Sequence, residues 1–409
     1  MNGKHNPRML IMAGLLGLAL LPGPVLLAAQ NNVAKASSQS PARSDPLTRS
    51  GFDAYYSLDY DGAIRNFEQV LAKYPDDPHA VNHLLSALLF KELYRIGAFE
   101  TSLYSNNSFL DRKQLPPDPK VAARIQDLIA RNLELCERRL RANPNDLDAL
   151  YARGVTRGSA STNMGMVQKA WYAALKNAKG ARADHERVLE LDPRFTDAKL
   201  IVGVHEYIAG SLPFFVKALA ALAGYSGSRE KGIQLLYEAG NGGGETAADA
   251  KVALGLFLRR EERFSDALTV ARSLNAAYPR NYLFALEVAN VLNDAGRGPE
   301  AIAAYRKVLG DSEKFFQPKL EFAAFGLGEA LRGQRHYPEA AEAYSSVGKY
   351  PKVERELAER AELYAGEVYD LMGQREQAVA HYQAASSSAG GSRWAEMARK
   401  RIKEPYRSP

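Results

Sequence analysis

The sequence predicts an all-α, right-handed α-solenoid of about eight helical hairpins, and three observations predict it. Small residues recur twelve positions apart, with Gly51 followed by Ala63, Gly255 by Ala267, Ala289 by Ala301, Gly328 by Ala340 and Gly366 by Ala378. Four positions after each alanine stands Phe67, Ala271, Tyr305, Tyr344 or Tyr382. Prolines close several units, at Pro75, Pro144, Pro193 and Pro279. One hairpin cannot bury its own apolar face, so units of this kind stack. A small residue at the crossing lets two helices approach, and the aromatic fills the space beside it.

The start of each unit is equally readable. Pro78 after Asp77, Pro299 after Gly298 and Pro338 after Tyr337 suit a first helical turn, where a missing N–H costs nothing. A closing proline cannot continue a helix and marks the turn to the next unit. Together these features resemble the tetratricopeptide repeat (TPR) family. That resemblance implies a TPR-like solenoid over 47–392 and a scaffold that binds a protein or peptide.

The N-terminus reads as targeting information. Lys4 and Arg8 precede the apolar run Met9 to Leu21, which Pro22, Gly23 and Pro24 break, and Ala34-Lys35-Ala36 offers a cleavage site. We read 1–36 as a signal peptide, 37–46 as a linker, and the mature protein as periplasmic or in the cell envelope. An uncleaved N-terminal membrane anchor is the alternative. Without 1–36 the chain has 50 basic against 47 acidic residues, and six of the basic ones lie in a C-terminal capping helix and tail, 393–409. The solenoid body is therefore near neutral, with no basis for nucleic-acid binding. Cys136, the only cysteine, occupies the aromatic slot of its repeat and is expected to be a buried, inert thiol.

Three consecutive repeats are enlarged between their first and second helices. The crossing positions Leu85 and Asn132 are 47 apart, Gly154 and Ala181 are 27 apart, and Gly203 and Gly232 are 29 apart. In the first enlargement a helix from Pro78 is expected to reach about Leu103, with a partner from Pro119 to Leu140. The second is expected to pass through a loop, Gly158 to Asn163, into a long helix containing Trp171. The third carries the apolar stretch 212–223, with Phe214 and Phe215 and one charge, Lys217. It is too short to span a bilayer, so it is either a structural plug or an apolar lip that contacts a membrane surface or membrane protein. The region Arg182 to Leu258 also resembles the tetratricopeptide repeat protein 39 group and exported bacterial TPR proteins. Leu212-Pro213, the run to Gly224, and Ser226 to Gly232 leading into Gln234-Leu235-Leu236 carry that resemblance, which brings no catalytic residue.

Catalytic and metal chemistry is poorly represented. His79 and His83 share a helix face but lack a third ligand, and are expected to be solvated or to line the groove. His205-Glu206 has Ala209 where a second zinc-binding histidine would stand. Gly240 to Gly244 lacks the Lys-Ser/Thr of a phosphate loop and is read as a turn before Glu245. Ser386 to Ser388 has no nucleophile-elbow context. We expect no enzyme, no cofactor and no bound metal. By the TPR resemblance the ligand-contact positions fall on the first helix of each unit. They include Phe52, Tyr55, Leu89, Tyr151, Val204, Tyr207, Arg259, Asn290, Asn293, Phe325, Glu329, Arg332, Glu367 and Asp370. Leu286 stands where a carboxylate-clamping cation would be needed, so capture of a peptide terminus is only partly matched.

Overall fold

Prolines and N-capping side chains set where the helices begin. The computed structural model describes residues 40–99, 116–212, 227–387 and 392–407. Asp45, Asp77, Asp118, Asp146 and Asn281 each accept a hydrogen bond from a backbone N–H of the helix that follows. Pro46, Pro78 and Pro119 directly follow three of these caps. The four closing prolines all lie in turns between helices.

The described residues form α-helices with no strand, and within each of two compact units, 1–261 and 262–409, consecutive helices pack on one another. The first unit holds α1 (Pro41–Ser44), α2 (Pro46–Tyr56), α3 (Tyr60–Lys73), α4 (Pro78–Arg95), α5 (Pro119–Ala142), α6 (Leu147–Thr162), α7 (Trp171–Leu191), α8 (Lys199–Gly210), α9 (Arg229–Asn241) and α10 (Ala247–Arg260). The second holds α11 (Phe264–Ala277), α12 (Tyr282–Asp294), α13 (Gly298–Gly310), α14 (Glu321–Gly333), α15 (Tyr337–Val347), α16 (Arg355–Leu371), α17 (Arg375–Ser386) and α18 (Arg393–Lys403). This is the paired-helix, TPR-like architecture that the periodicity predicts.

The crossing geometry explains the twelve-residue spacing. A Cβ placed on Gly51 would stand 2.3 Å from the Phe67 ring, and one on Gly366 would stand 2.5 Å from Tyr382. At these two crossings the aromatic ring therefore fills volume that only glycine leaves open. Gly203 and Gly232 bring backbone against backbone, since a Cβ on Gly232 would lie 2.5 Å from the backbone nitrogen of Tyr207 and 2.7 Å from the Gly203 carbonyl oxygen. In the third hairpin His185 takes the aromatic slot against Gly154, and in the second Cys136 does so, fully buried. Burial pushes the Cys136 thiol up to about 12, so it stays protonated.

One regularity was invisible in the periodicity. Leu58, Glu262, Gly296, Arg335 and Gly373 each adopt φ between 58° and 73°, and each stands seven positions after its crossing residue. The turn between the two helices of a regular unit thus needs a left-handed residue, and only two of the five are glycine.

The helix bounds depart from expectation in two places. α4 stops at Arg95 rather than near Leu103, because Gly97 turns left-handed and the Ala98 N–H closes on the Leu93 carbonyl. Gly158 to Thr162 continues α6 instead of forming a loop, and a π-turn over Asn163–Val167 leads toward α7. Residues 40–46, within the stretch read as a linker, are packed. Ala42 is fully buried, the Ser40 hydroxyl donates to Asp77 at 2.5 Å, and the Thr48 hydroxyl donates to the Ala42 carbonyl at 2.6 Å. The leader 1–36, the middle of the first enlargement (100–115) and nearly all of the apolar stretch, with Phe214 and Phe215, lie outside the described residues. Leu212, at the start of that stretch, is buried.

Candidate protein-interaction site

The first helices of the hairpins carry the ligand-contact positions in the TPR resemblance, and the two units use them differently. In the first unit these helices close on one another. Arg43 is held by Asp197 at 2.5 Å and faces Glu245 at 3.4 Å, with its guanidinium over the rings of Tyr151 and Phe195. Glu245 also meets His83 at 3.3 Å, and the Tyr56 hydroxyl donates to Asp249 at 3.0 Å. Residues from α1, α2 and α4 thereby join the start of α8 and the start of α10. Tyr55, Tyr151 and Tyr207 are all buried, and so is Leu89. Tyr207 stacks on Phe257 at 3.8 Å and donates to Glu261 at 2.8 Å. The chain's own side chains pack these positions, while Phe52 and Val204 are half-buried.

His79 and His83 rule out the solvated alternative of the sequence reading. Both are buried rather than solvated, with His79 stacked on Tyr151 and His83 edge-on to Phe52. Burial and the nearby Arg43 push His79 down to about 3, so the imidazole is neutral. Burial works to raise Glu245, yet His83 and Arg43 overcome it and hold the carboxyl at about 2. Asp249, desolvated among the packed helices, is pushed up to about 6. Glu245 lies just before α10, whose N-cap is Thr246, and the preceding turn is fixed by Asp197, which accepts from the Thr246 N–H at 3.1 Å. Among the described residues no group of three or more His, Cys, Asp or Glu is placed to hold a metal ion.

In the second unit Asn290, Asn293, Glu329 and Arg332 are half-buried, whereas Phe325 and Glu367 are buried. Asn290, Glu329 and Asp370, on α12, α14 and α16, each accept the hydroxyl of the aromatic-slot tyrosine from the following helix. The Tyr305 and Tyr382 bonds are 2.8 and 2.7 Å long. The tyrosine body thus packs the hairpin while its hydroxyl fixes a polar group on the preceding helix. Asn293, also on α12, is half-buried. Arg332 pairs with Glu367 at 2.8 Å and lies over the rings of Tyr364 and Tyr406. Arg360 lies 4.3 Å from the centre of the Phe325 ring and 5.2 Å from that of Trp394. Leu286 is buried, so no cation stands at that position. Arg259, the remaining position singled out, is half-buried on α10 in the first unit.

A family profile fits this architecture. Described as tetratricopeptide repeat, it matches residues 50–93 and 247–314, so the chain carries such repeats in both segments. No curated protein matches the sequence. Among solved structures, the APC/C hetero-tetramer Cut9–Hcn1 matches with a TM-score of 0.48 and 15% identity over 90% of this chain. This chain spans only 56% of that one. Yeast Tom70 matches with a TM-score of 0.40 and 14% identity, covering 88% of each chain. Pseudomonas aeruginosa pilF matches with a TM-score of 0.39 and 15% identity, over 63% of this chain and 99% of its own. Among the described residues no helix is long and apolar enough to cross a membrane.

Proposed function

We propose that this protein is an exported, non-enzymatic scaffold that binds a protein or extended peptide, and that the binding face is the inner surface of the second unit. The observation that carries this reading is the contrast between the two inner faces. In the first unit an ion-paired, aromatic interior excludes a ligand. In the second, Asn290, Glu329 and Asp370 are oriented from behind by tyrosines, and Arg332 and Arg360 lie against aromatic rings. Preset polar groups beside aromatic surface suit an extended chain, whose backbone needs hydrogen-bond partners and whose side chains need apolar contact. Export rests on Lys4, Arg8 and the apolar run that follows them. The likeness of 182–258 to the tetratricopeptide repeat protein 39 group adds no reacting residue to this reading.

A displayed peptide library tests it. Selected peptides should bind the parent chain and lose at least tenfold affinity for Asn293→Arg, while the melting temperature stays unchanged. Failure to select any binder, or peptides that bind both proteins equally, would contradict the assignment.

A further inference from the structure

The last helix does not end the ordered chain. After α18 the segment Glu404 to Arg407 turns back onto the inner face just described. The Tyr406 N–H donates to Asp370 Oδ2 at 2.7 Å, and its ring lies 5.1 Å from the Arg332 guanidinium and 4.8 Å from that of Arg401. We propose that this C-terminal segment is a ligand of the chain's own last two repeats, occupying a subsite for an extended, tyrosine-bearing segment that a partner must displace. The inference rests on the reading of the second unit's inner face as the binding surface.

The site is built independently of the tail. Asp370 is held by the Tyr382 hydroxyl at 2.7 Å and by Arg375 at 2.9 Å. Its Oδ2 already accepts from Tyr382 and Arg375 and takes an arriving backbone N–H as a further donor, a charge-assisted contact that reads no side chain. Arg332 is held by Glu367 and already has Tyr364 against it, so a second ring completes a guanidinium–aromatic stack. These two contacts define the ligand chemistry as a backbone N–H and an aromatic ring on one residue.

The tail is held lightly. Glu404, Pro405 and Arg407 are exposed, and Tyr406 is only half-buried. α18 is anchored by other means, because Arg375 donates to the Arg401 and Ile402 carbonyls at 2.8 and 2.6 Å, and Ala395 and Ala398 are fully buried. The tail can therefore leave while the helix stays. Tethering gives it an effective concentration on the order of millimolar, so weak contacts suffice to fill the subsite.

The test is binding of a fluorescein-labelled peptide of residues 403–409, KEPYRSP, to the chain ending at Lys403 and to the full chain. Anisotropy should show binding to the shortened chain at least tenfold tighter than to the full one, with loss of binding when the peptide's tyrosine is alanine. Equal affinity for the two chains, or for the two peptides, would overturn the proposal. Should the shortened chain melt at a lower temperature than the parent, the full-length Tyr406→Ala variant takes its place and must bind the peptide more tightly than the parent does. Oligomers of the full chain that vanish on shortening would also overturn it, because the tail would then serve a second copy. Library peptides that bind through Asn293 while KEPYRSP does not would remove the tail proposal and leave the binding-face reading standing.

Discussion

Arg43 and Asp197, 154 positions apart, form a 2.5 Å ion pair, and Asp197 is 5% exposed. The pair joins the segment before the first hairpin to the entrance of the fourth, and with Glu245 and His83 it occupies the interior of the first unit. Desolvated charges of this kind are costly once a partner is removed. Arg43→Ala should therefore lower the unfolding free energy by about 3 kcal/mol, measured by urea denaturation. Arg43→Met, which keeps contact with Tyr151 and Phe195, should lose nearly as much if charge pairing dominates.

The same interior should make the protein acid-sensitive. His79, His185 and His205 are all depressed, by burial first, with His79 at about 3 and His205 at about 4. Below their ordinary range near 6.5 the unfolded imidazoles take up protons that the folded ones refuse, so stability falls as pH drops through this window. Asp249, raised to about 6, works in the opposite direction, since its folded form takes up a proton before the unfolded one does. Burial also raises Asp148, Glu321 and Glu367, but from ordinary values at or below 4.5, so between pH 7 and 5 the three imidazoles set the sign. The melting temperature should be several degrees lower at pH 5 than at pH 7, at roughly 2–4 °C per kcal/mol. His79→Gln should flatten that slope, and Asp249→Asn should steepen it.

The left-handed turn positions allow a gain in stability. Arg335 is exposed with φ 62°, and glycine meets that geometry without a Cβ penalty. Arg335→Gly should raise stability by about 0.5–1 kcal/mol, while Gly373→Ala, at φ 73°, should lower it by a similar amount. Thermal unfolding of the two variants decides this.

Crossing glycines should resist any side chain. Gly366→Ala would push a methyl to 2.5 Å from the Tyr382 ring, and should cost about 1–3 kcal/mol. Gly333 meets nothing within 4 Å, so Gly333→Ala should be neutral or slightly stabilising. Equal effects at the two positions would remove the packing explanation for the twelve-residue spacing.

These contrasts show which parts of the molecule were legible in its residues. The spacing of Gly366, Ala378 and Tyr382 exposes a local crossing, so hairpins, caps and closing prolines could be read directly. Gly158 was misread because its helix is continued by contacts that composition does not carry. The burial of His79, the closure of Arg43 on Asp197 and the return of Tyr406 to Asp370 all depend on how distant hairpins curve together. Periodicity within one unit says nothing about that curvature. Even the left-handed turn was hidden, because Leu58, Glu262 and Arg335 stand where glycine would have announced it.

The central claim is that the inner face is closed in the first unit and accessible in the second. Cys136 is buried and its thiol is raised to about 12, so an introduced cysteine can be followed against a silent background. Leu89→Cys and Asn293→Cys probe matching groove positions in the two units, and the measurement is their maleimide labelling rate under native conditions. The account predicts rapid labelling at position 293 and labelling at position 89 slower by on the order of a hundredfold or more, because it requires opening of the first unit. Comparable rates at the two positions would contradict it.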